Sequence, residues 1–183
     1  KAGCVAVPLF TAFGPDGLTA RLKDCQPSLL ILAPEKSALS SAVKIETVIG
    51  GRALMEELDC FDDEFISNTH SSDMAMYQYT SGTSRELPEA VKHRHRAIVT
   101  VMIAALYATG VRPGDKYMCP SSPAWGHGLW HGTLAPLALG IEIATYSGKF
   151  DPDRLLGALE EFETTNLSAA ATLYRMMRNL QES

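Results

Sequence analysis

Residues 79–93, YTSGTSRELPEAVKH, gather small hydroxyl-bearing side chains around one glycine. Thr80, Ser81, Gly82, Thr83 and Ser84 directly follow the strand-like run Met74–Tyr79. A glycine-containing turn aims several backbone amides at one point, hydroxyls add further donors, and the missing Cβ lets an oxyanion come close. That is the chemistry of a phosphate cradle, although composition alone fits a polar turn at a strand end equally well. The cations nearby are Arg85 and Lys92, and between them stands Glu89. A carboxylate about 4 Å from a phosphate charge costs roughly 1 kcal/mol in water and about 4 kcal/mol at an effective dielectric constant of 20. Glu89 should therefore not face phosphate unpaired. Either Arg85 or Lys92 supplies the cation while Glu89 pairs with one of them, or the loop binds through hydroxyls and amides only. The first is favoured, because the Arg85 guanidinium can meet phosphate oxygens bidentately.

Two familiar phosphate cradles are excluded. After Gly82 no glycine recurs before Gly110, so the Walker pattern G-x-x-x-x-G-K-[ST] is absent, and so is G-x-G-x-x-G. A second set of chemistry-bearing residues lies at Trp125, Gly126, His127 and His131. His127 and His131 are spaced to share one helix face, as zinc ligands do, but no third ligand accompanies them. The acids Glu57, Asp59, Asp62, Asp63 and Glu64 lack histidine or a patterned spacing and read as a solvated face.

Aliphatic and β-branched runs alternate with segments of helical period along the whole chain, the pattern of an α/β fold with a largely parallel sheet flanked by helices. Expected strands are Cys4–Leu9, Leu29–Leu32, Thr47–Ile49, Met74–Tyr79, Ala90–His93, Tyr117–Cys119, Ile141–Tyr146 and Leu167–Ala170. Expected helices are Pro15–Cys25, Gly51–Leu58, Arg94–Thr109, Gly128–Leu139, Pro152–Phe162 and Thr172–Leu180. Asp151-Pro152 supplies an N-cap acid with proline at the first helical position, and Leu155, Leu156, Leu159 and Phe162 should share the buried face. The polar stretch Ser67–Asp73 is a candidate subdomain junction.

With 183 residues, 46% hydrophobic and 20% charged, the chain can build a core, and a net charge of -5 lacks the basic footprint of a nucleic-acid binder. The apolar run Ala97–Val111 falls short of the roughly 20 residues that cross a bilayer, so no membrane span is expected and a buried helix is. Four scattered cysteines without a C-x-x-C pair suggest core thiols in a reducing, cytoplasmic setting. Lys1 opens without a linker and Ser183 ends abruptly, as expected of a piece of a longer protein.

The 79–93 stretch closely resembles the YTSGTTG-x-PKGV-x-H signature of the AMP-forming acyl-CoA synthetases, the adenylate-forming superfamily. Tyr79 through Ser84, Leu87-Pro88, Ala90-Val91 and His93 carry the match. Cys4–Leu9 looks like the family's GAVAVPL strand, Ser122–Gly126 through Pro136–Gly140 is similar to its GWA…G…APLLLG segment, and Leu167–Met177 looks like its APTIYRML segment. Four matches in order cover nearly the whole chain.

The resemblance implies a fragment of the large N-terminal domain of an acid–CoA ligase. In that family a carboxylic acid attacks the α-phosphate of ATP, pyrophosphate leaves, and coenzyme A takes the acyl group. It implies that Thr80–Ser84, with Arg85 and Lys92, hold the triphosphate with Mg²⁺ nearby, that Trp125, Gly126 and His127 border the acyl and adenylate sites, that no zinc is used, and that a homodimer is compatible with the family. Residues 1–183 then form one fragment of the AMP-binding domain. The C-terminal small domain with the adenylation lysine, a YGxTE-type segment and a ribose-binding TGD would lie outside it, leaving the piece by itself without ligase activity. The signature's second glycine is replaced within Arg85-Glu86, the loop is one residue longer, and Glu89-Ala90 stands for its Lys-Gly. These departures keep open an adenylation unit that loads a carrier protein, or a homologue that binds without turnover. The Trp125–Trp130 segment favours aromatic, alicyclic or medium-chain acids.

Overall fold

The computed structural model describes residues 3–62, 64, 66–79, 89–145, 148 and 150–179. It divides into two compact units, 1–95 and 96–183. The polar stretch 67–73 lies inside the first unit and leads into its hairpin.

In the first unit, helix α1 (Pro15–Cys25) begins with proline at its first turn and ends where Gln26 takes a left-handed conformation at φ 45°. Its Leu18 and Leu22 pack on Leu30 and Leu32 of strand β1 (Leu29–Leu32), whose alternate residues Leu29 and Ile31 are exposed. β1 pairs in parallel with β2 (Glu46–Ile49), joined by a 3-10 segment, Pro34–Ala42, that the periodicity did not reveal. The short helix α2 (Arg52–Leu58) follows. Strand β3 (Met74–Tyr79) then pairs antiparallel with β4 (Ala90–Arg94), with Tyr79 opposite Ala90. The stretch Cys4–Leu9 is not a strand: it contributes one parallel bridge, Ala6 to Met76.

β3 is tied to α1 through its last residue. The Tyr79 hydroxyl lies 2.6 Å from the Asp24 carboxylate and 3.1 Å from the Arg21 carbonyl. The Arg21 guanidinium sits 3.8 Å over the Phe13 ring and 5.5 Å from the Tyr79 ring centre, a cation held by two aromatic faces. Burial, with the Asp24 carboxylate beside it, holds the Tyr79 phenol well above its ordinary pKa, so it stays a hydrogen-bond donor.

The second unit is built on a three-stranded parallel sheet. β5 (Lys116–Met118) lies between β6 (Glu142–Ala144) and β7 (Asn166–Leu167). Consecutive residues of β5 face opposite layers, and both are sealed from solvent: Tyr117 joins Ala105, Val111, Ala135 and Ile141, while Met118 joins Leu155 and Ala158. Helix α3 (Ala97–Ala104) widens into a π-helical turn, Ala105–Thr109, which closes at Gly110 with φ 76°. A second π-helical segment, His127–Leu134, leads into α4 (Ala135–Ala138). The run 97–111 is not the wholly buried helix its composition suggested, because Val99, Ile103 and Tyr107 face out while Ala105 and Val111 are sealed in.

Helix α5 (Pro152–Glu161) starts as expected, its Asp151 carboxylate accepting the Arg154 amide at 2.9 Å. Its buried face is narrower than predicted. Leu155, Ala158 and Leu159 pack inward with Leu173 and Met177 of α6 (Ala171–Asn179), whereas Leu156 and Phe162 are exposed. The cysteines are also less buried than expected: Cys4 and Cys60 are exposed, Cys25 and Cys119 partly so, and all are free thiols. Among the described residues two of the three sheets are parallel and helices alternate with strands, so the α/β class holds, with the β3–β4 pair antiparallel. Leu155 has 0% exposure and ties the middle strand to α5 and α6. Leu155→Ala should therefore destabilise the second unit by about 3 kcal/mol, read as a lower denaturant midpoint; an unchanged midpoint would show that this layer carries little of the stability.

Candidate active site

The predicted phosphate loop, Thr80, Ser81, Gly82, Thr83, Ser84 and Arg85, lies outside the described residues. Its two flanks do not. Tyr79 and Ala90 stand opposite each other at the end of the β3–β4 pairing. Glu89 is exposed immediately before β4. Lys92 lies opposite Tyr77 with its ammonium 5.1 Å from that ring centre.

A cleft among the described residues lies in the second unit, beyond the carboxyl ends of β5 and β7. In parallel α/β sheets this is the end where ligands bind, because the chain leaves each strand there into loops. An open cleft of about 430 Å³ is bounded by Thr109, His127, His131, Leu167, Ser168 and Tyr174, among others.

His127 is fixed from both sides. Its Nδ1 is 3.1 Å from the Ser121 hydroxyl, on the turn after β5, and its Nε2 is 3.0 Å from the Ser168 hydroxyl, just after β7. A neutral imidazole has one donor and one acceptor nitrogen, and a serine hydroxyl can be either, so both bonds are satisfied without charge. Burial, and after it the neighbouring His131, push the His127 pKa below its ordinary value, consistent with a neutral ring. The two rings are 6.0 Å apart between centres.

The turn after β5 and the π-helical segment touch through glycine. A Cβ at Gly128 would stand 2.2 Å from the Ser122 carbonyl oxygen and 2.3 Å from that of Ser121. One at Gly132 would stand 2.8 Å from the Cβ and Sγ of Cys119. The spacing of four places both glycines on the face that meets the strand end, with His127 beside them. The widened helix also lets the Thr133 hydroxyl donate to the Gly128 carbonyl at 2.9 Å. Such π-helical insertions recur at functional sites.

Beneath the cleft, burial raises the Cys119 thiol, and it pushes Tyr117 up to about 12 with a partial offset from the Ser168 hydroxyl. Both groups are therefore neutral near pH 7.

This whole chain matches the family model described as "AMP-binding enzyme", over residues 1–183. The chain belongs to the AMP-binding enzyme family. It is similar to the acetyl-coenzyme A synthetase of Bacillus subtilis, 26% identical over 194 residues, which cover 97% of this chain and 33% of that protein. Among solved structures, an acyl-CoA synthetase from Brucella canis superposes with a TM-score of 0.86 at 24% identity, over 97% of this chain and 35% of that one. ATP-bound MatB from Rhodopseudomonas palustris follows with a TM-score of 0.79 at 21% identity, over 94% of this chain and 35% of that one. The chain thus spans about a third of the length of the relatives it matches, and its fold is that of this family.

Of the residues singled out around 125, the structure brings His127 to the cleft, whereas Trp125 is 40% exposed and does not border it. Gly126 caps the π-helical segment. Among the described residues no group of three or more His, Cys, Asp or Glu could hold a metal ion. Sequence reasoning missed Ser121, Ser168, Thr109 and Tyr174. The available signal for two of them was topological, since Ser121 and Ser168 follow the ends of neighbouring parallel strands. No helix of the described residues is long and apolar enough to cross a membrane.

The glycine contact is the site's most restrictive element. Gly128→Ala should cost up to about 3 kcal/mol, because the new methyl meets two backbone carbonyls that cannot rotate away. Unfolding midpoints of the variant and its parent test this, and equal midpoints would contradict the close approach.

Proposed function

We propose that the full-length protein activates a carboxylic acid with ATP to an acyl-adenylate and passes the acyl group to coenzyme A. The observation that carries this reading is the family match across the entire chain, together with the hydroxyl-rich sequence 80–84 between β3 and β4. The Bacillus subtilis relative is named a synthetase of acetyl-coenzyme A, and the MatB structure is described as ATP-bound, which supports ATP and coenzyme A as co-substrates.

The proposed division of labour rests on the family match for the stretch 80–92 and on the cleft for the acid. Thr80–Ser84 with Arg85 and Lys92 take the phosphates, and the cleft around His127 takes the acid. A carboxylate oxygen attacks the α-phosphorus as the bond to pyrophosphate breaks; the coenzyme A thiol then attacks the acyl carbonyl, loses its proton, and AMP leaves. Donors fixed in advance, such as loop amides and hydroxyls, suit the charge that develops on phosphate oxygens. The neutral, doubly bonded His127 is a rigid wall of the acid site, not a proton carrier. Mg²⁺ would help neutralise the triphosphate; among the described residues no carboxylate cluster fits it, so no step is assigned to it.

The deciding experiment is exchange of labelled pyrophosphate into ATP by the full-length protein. Exchange should require an added carboxylic acid, and adding coenzyme A should release AMP and form a thioester. No exchange across a broad acid panel, or ADP as the product, would refute the reading.

A further inference from the structure

The residue before the hydroxyl-rich stretch is tied into the first unit by a polar bond. Tyr79 closes β3 and is 5% exposed. Its hydroxyl meets the Asp24 carboxylate at 2.6 Å and the Arg21 carbonyl at 3.1 Å. A phenol donating to a carboxylate makes a charge-assisted bond, shorter and stronger than one between neutral groups. Arg21 stands between the Phe13 and Tyr79 rings and donates to the Gly17 carbonyl at 2.8 Å, which fixes the guanidinium along α1.

The residues of α1 divide two tasks. Leu18 and Leu22 pack on Leu30 and Leu32 of β1, while Arg21 and Asp24, three residues apart, meet Tyr79. The backbone of β3 is secured independently, by pairing with β4 and by the bridge from Ala6 to Met76. For stability alone an apolar contact would serve, since exchanging a buried polar pair for packed carbon is often neutral or favourable. What the short polar tie adds is direction. It fixes the end of β3, and so the point from which the chain continues into Thr80. Donors that are to meet a triphosphate must be set before it arrives, because any ordering left to the moment of binding is subtracted from affinity.

Resting on the assignment of the stretch 80–84 to the triphosphate, we propose that Tyr79 and Asp24 are positioning residues for ATP, acting together through the chain that follows Tyr79. Neither needs to touch the nucleotide. The last turns of α1 thereby become part of the apparatus that sets ATP affinity.

The test uses the full-length protein, with pyrophosphate exchange measured while ATP and acid are varied in turn, and with calorimetric titration of ATP and Mg²⁺ in the absence of acid. Tyr79→Phe and Asp24→Ala should each raise KM for ATP, and weaken ATP binding, by about fivefold or more, with KM for the acid unchanged. The double variant should be no weaker than the worse single one, because both remove the same bond. Asp24→Asn, which keeps an oxygen to accept the phenol proton, should restore most of the affinity. If one truncation fails to fold, the other is compared with Asp24→Asn in the same way. Folded variants that keep the parent's ATP affinity overturn the inference, as does a loss shared equally by ATP and acid. Failure of both truncations to fold overturns it too, since the tie would then serve the fold and not the nucleotide. Exchange absent from the parent protein with every acid overturns the ligase reading and the inference together.

Discussion

The second unit depends on a backbone contact that only glycine permits. Gly128 brings a π-helical segment against the Ser121 and Ser122 carbonyls at a separation where a single added carbon would overlap both. Gly132, one helical repeat later, does the same against Cys119. This approach sets the distance from the end of β5 to the helix. That distance in turn decides whether His127 can reach Ser121 on one side and Ser168 on the other. Any larger residue would lift the helix and open both hydrogen bonds, so packing and site geometry are here the same constraint.

The sheet supplies the rest. A middle strand flanked by two parallel neighbours sends its chain, and that of β7, out at one end, and the two serines sit on those exits. Tyr117 and Met118 anchor that strand in two separate apolar layers, one under the π-helical turns and one under α5 and α6. The strand ends that lead into the two serines are thus held from both faces. In the first unit the same logic appears in smaller form: Tyr79 is locked to α1 by Asp24 and Arg21 at the point where the hydroxyl-rich loop begins.

Much of this was legible in the residues, for identifiable reasons. Proline at the first helical position after an aspartate cap marked α5 because both act through local backbone geometry. The apolar runs Leu29–Leu32 and Met74–Tyr79 marked strands, and both pair with a neighbour. Cys4–Leu9 has equal strand character and yet forms one bridge, since pairing depends on a partner that composition cannot supply. The π-helical turns were read as ordinary helix, because an inserted residue leaves the apolar period nearly intact. His127 was found from its neighbourhood in a family motif. Its clamp was not, because Ser121 and Ser168 are distant in sequence and meet only through strand order.

His127 is clamped between the Ser121 and Ser168 hydroxyls as a neutral ring. Its imidazole nitrogen chemical shifts, followed by NMR through a pH titration of the full-length protein, report this directly. The geometry requires one fixed neutral tautomer at pH 7 and a midpoint below the ordinary histidine value of about 6.5, because burial and the adjacent His131 oppose protonation. Averaged tautomers with a midpoint at or above that value would mean that the clamp does not exist.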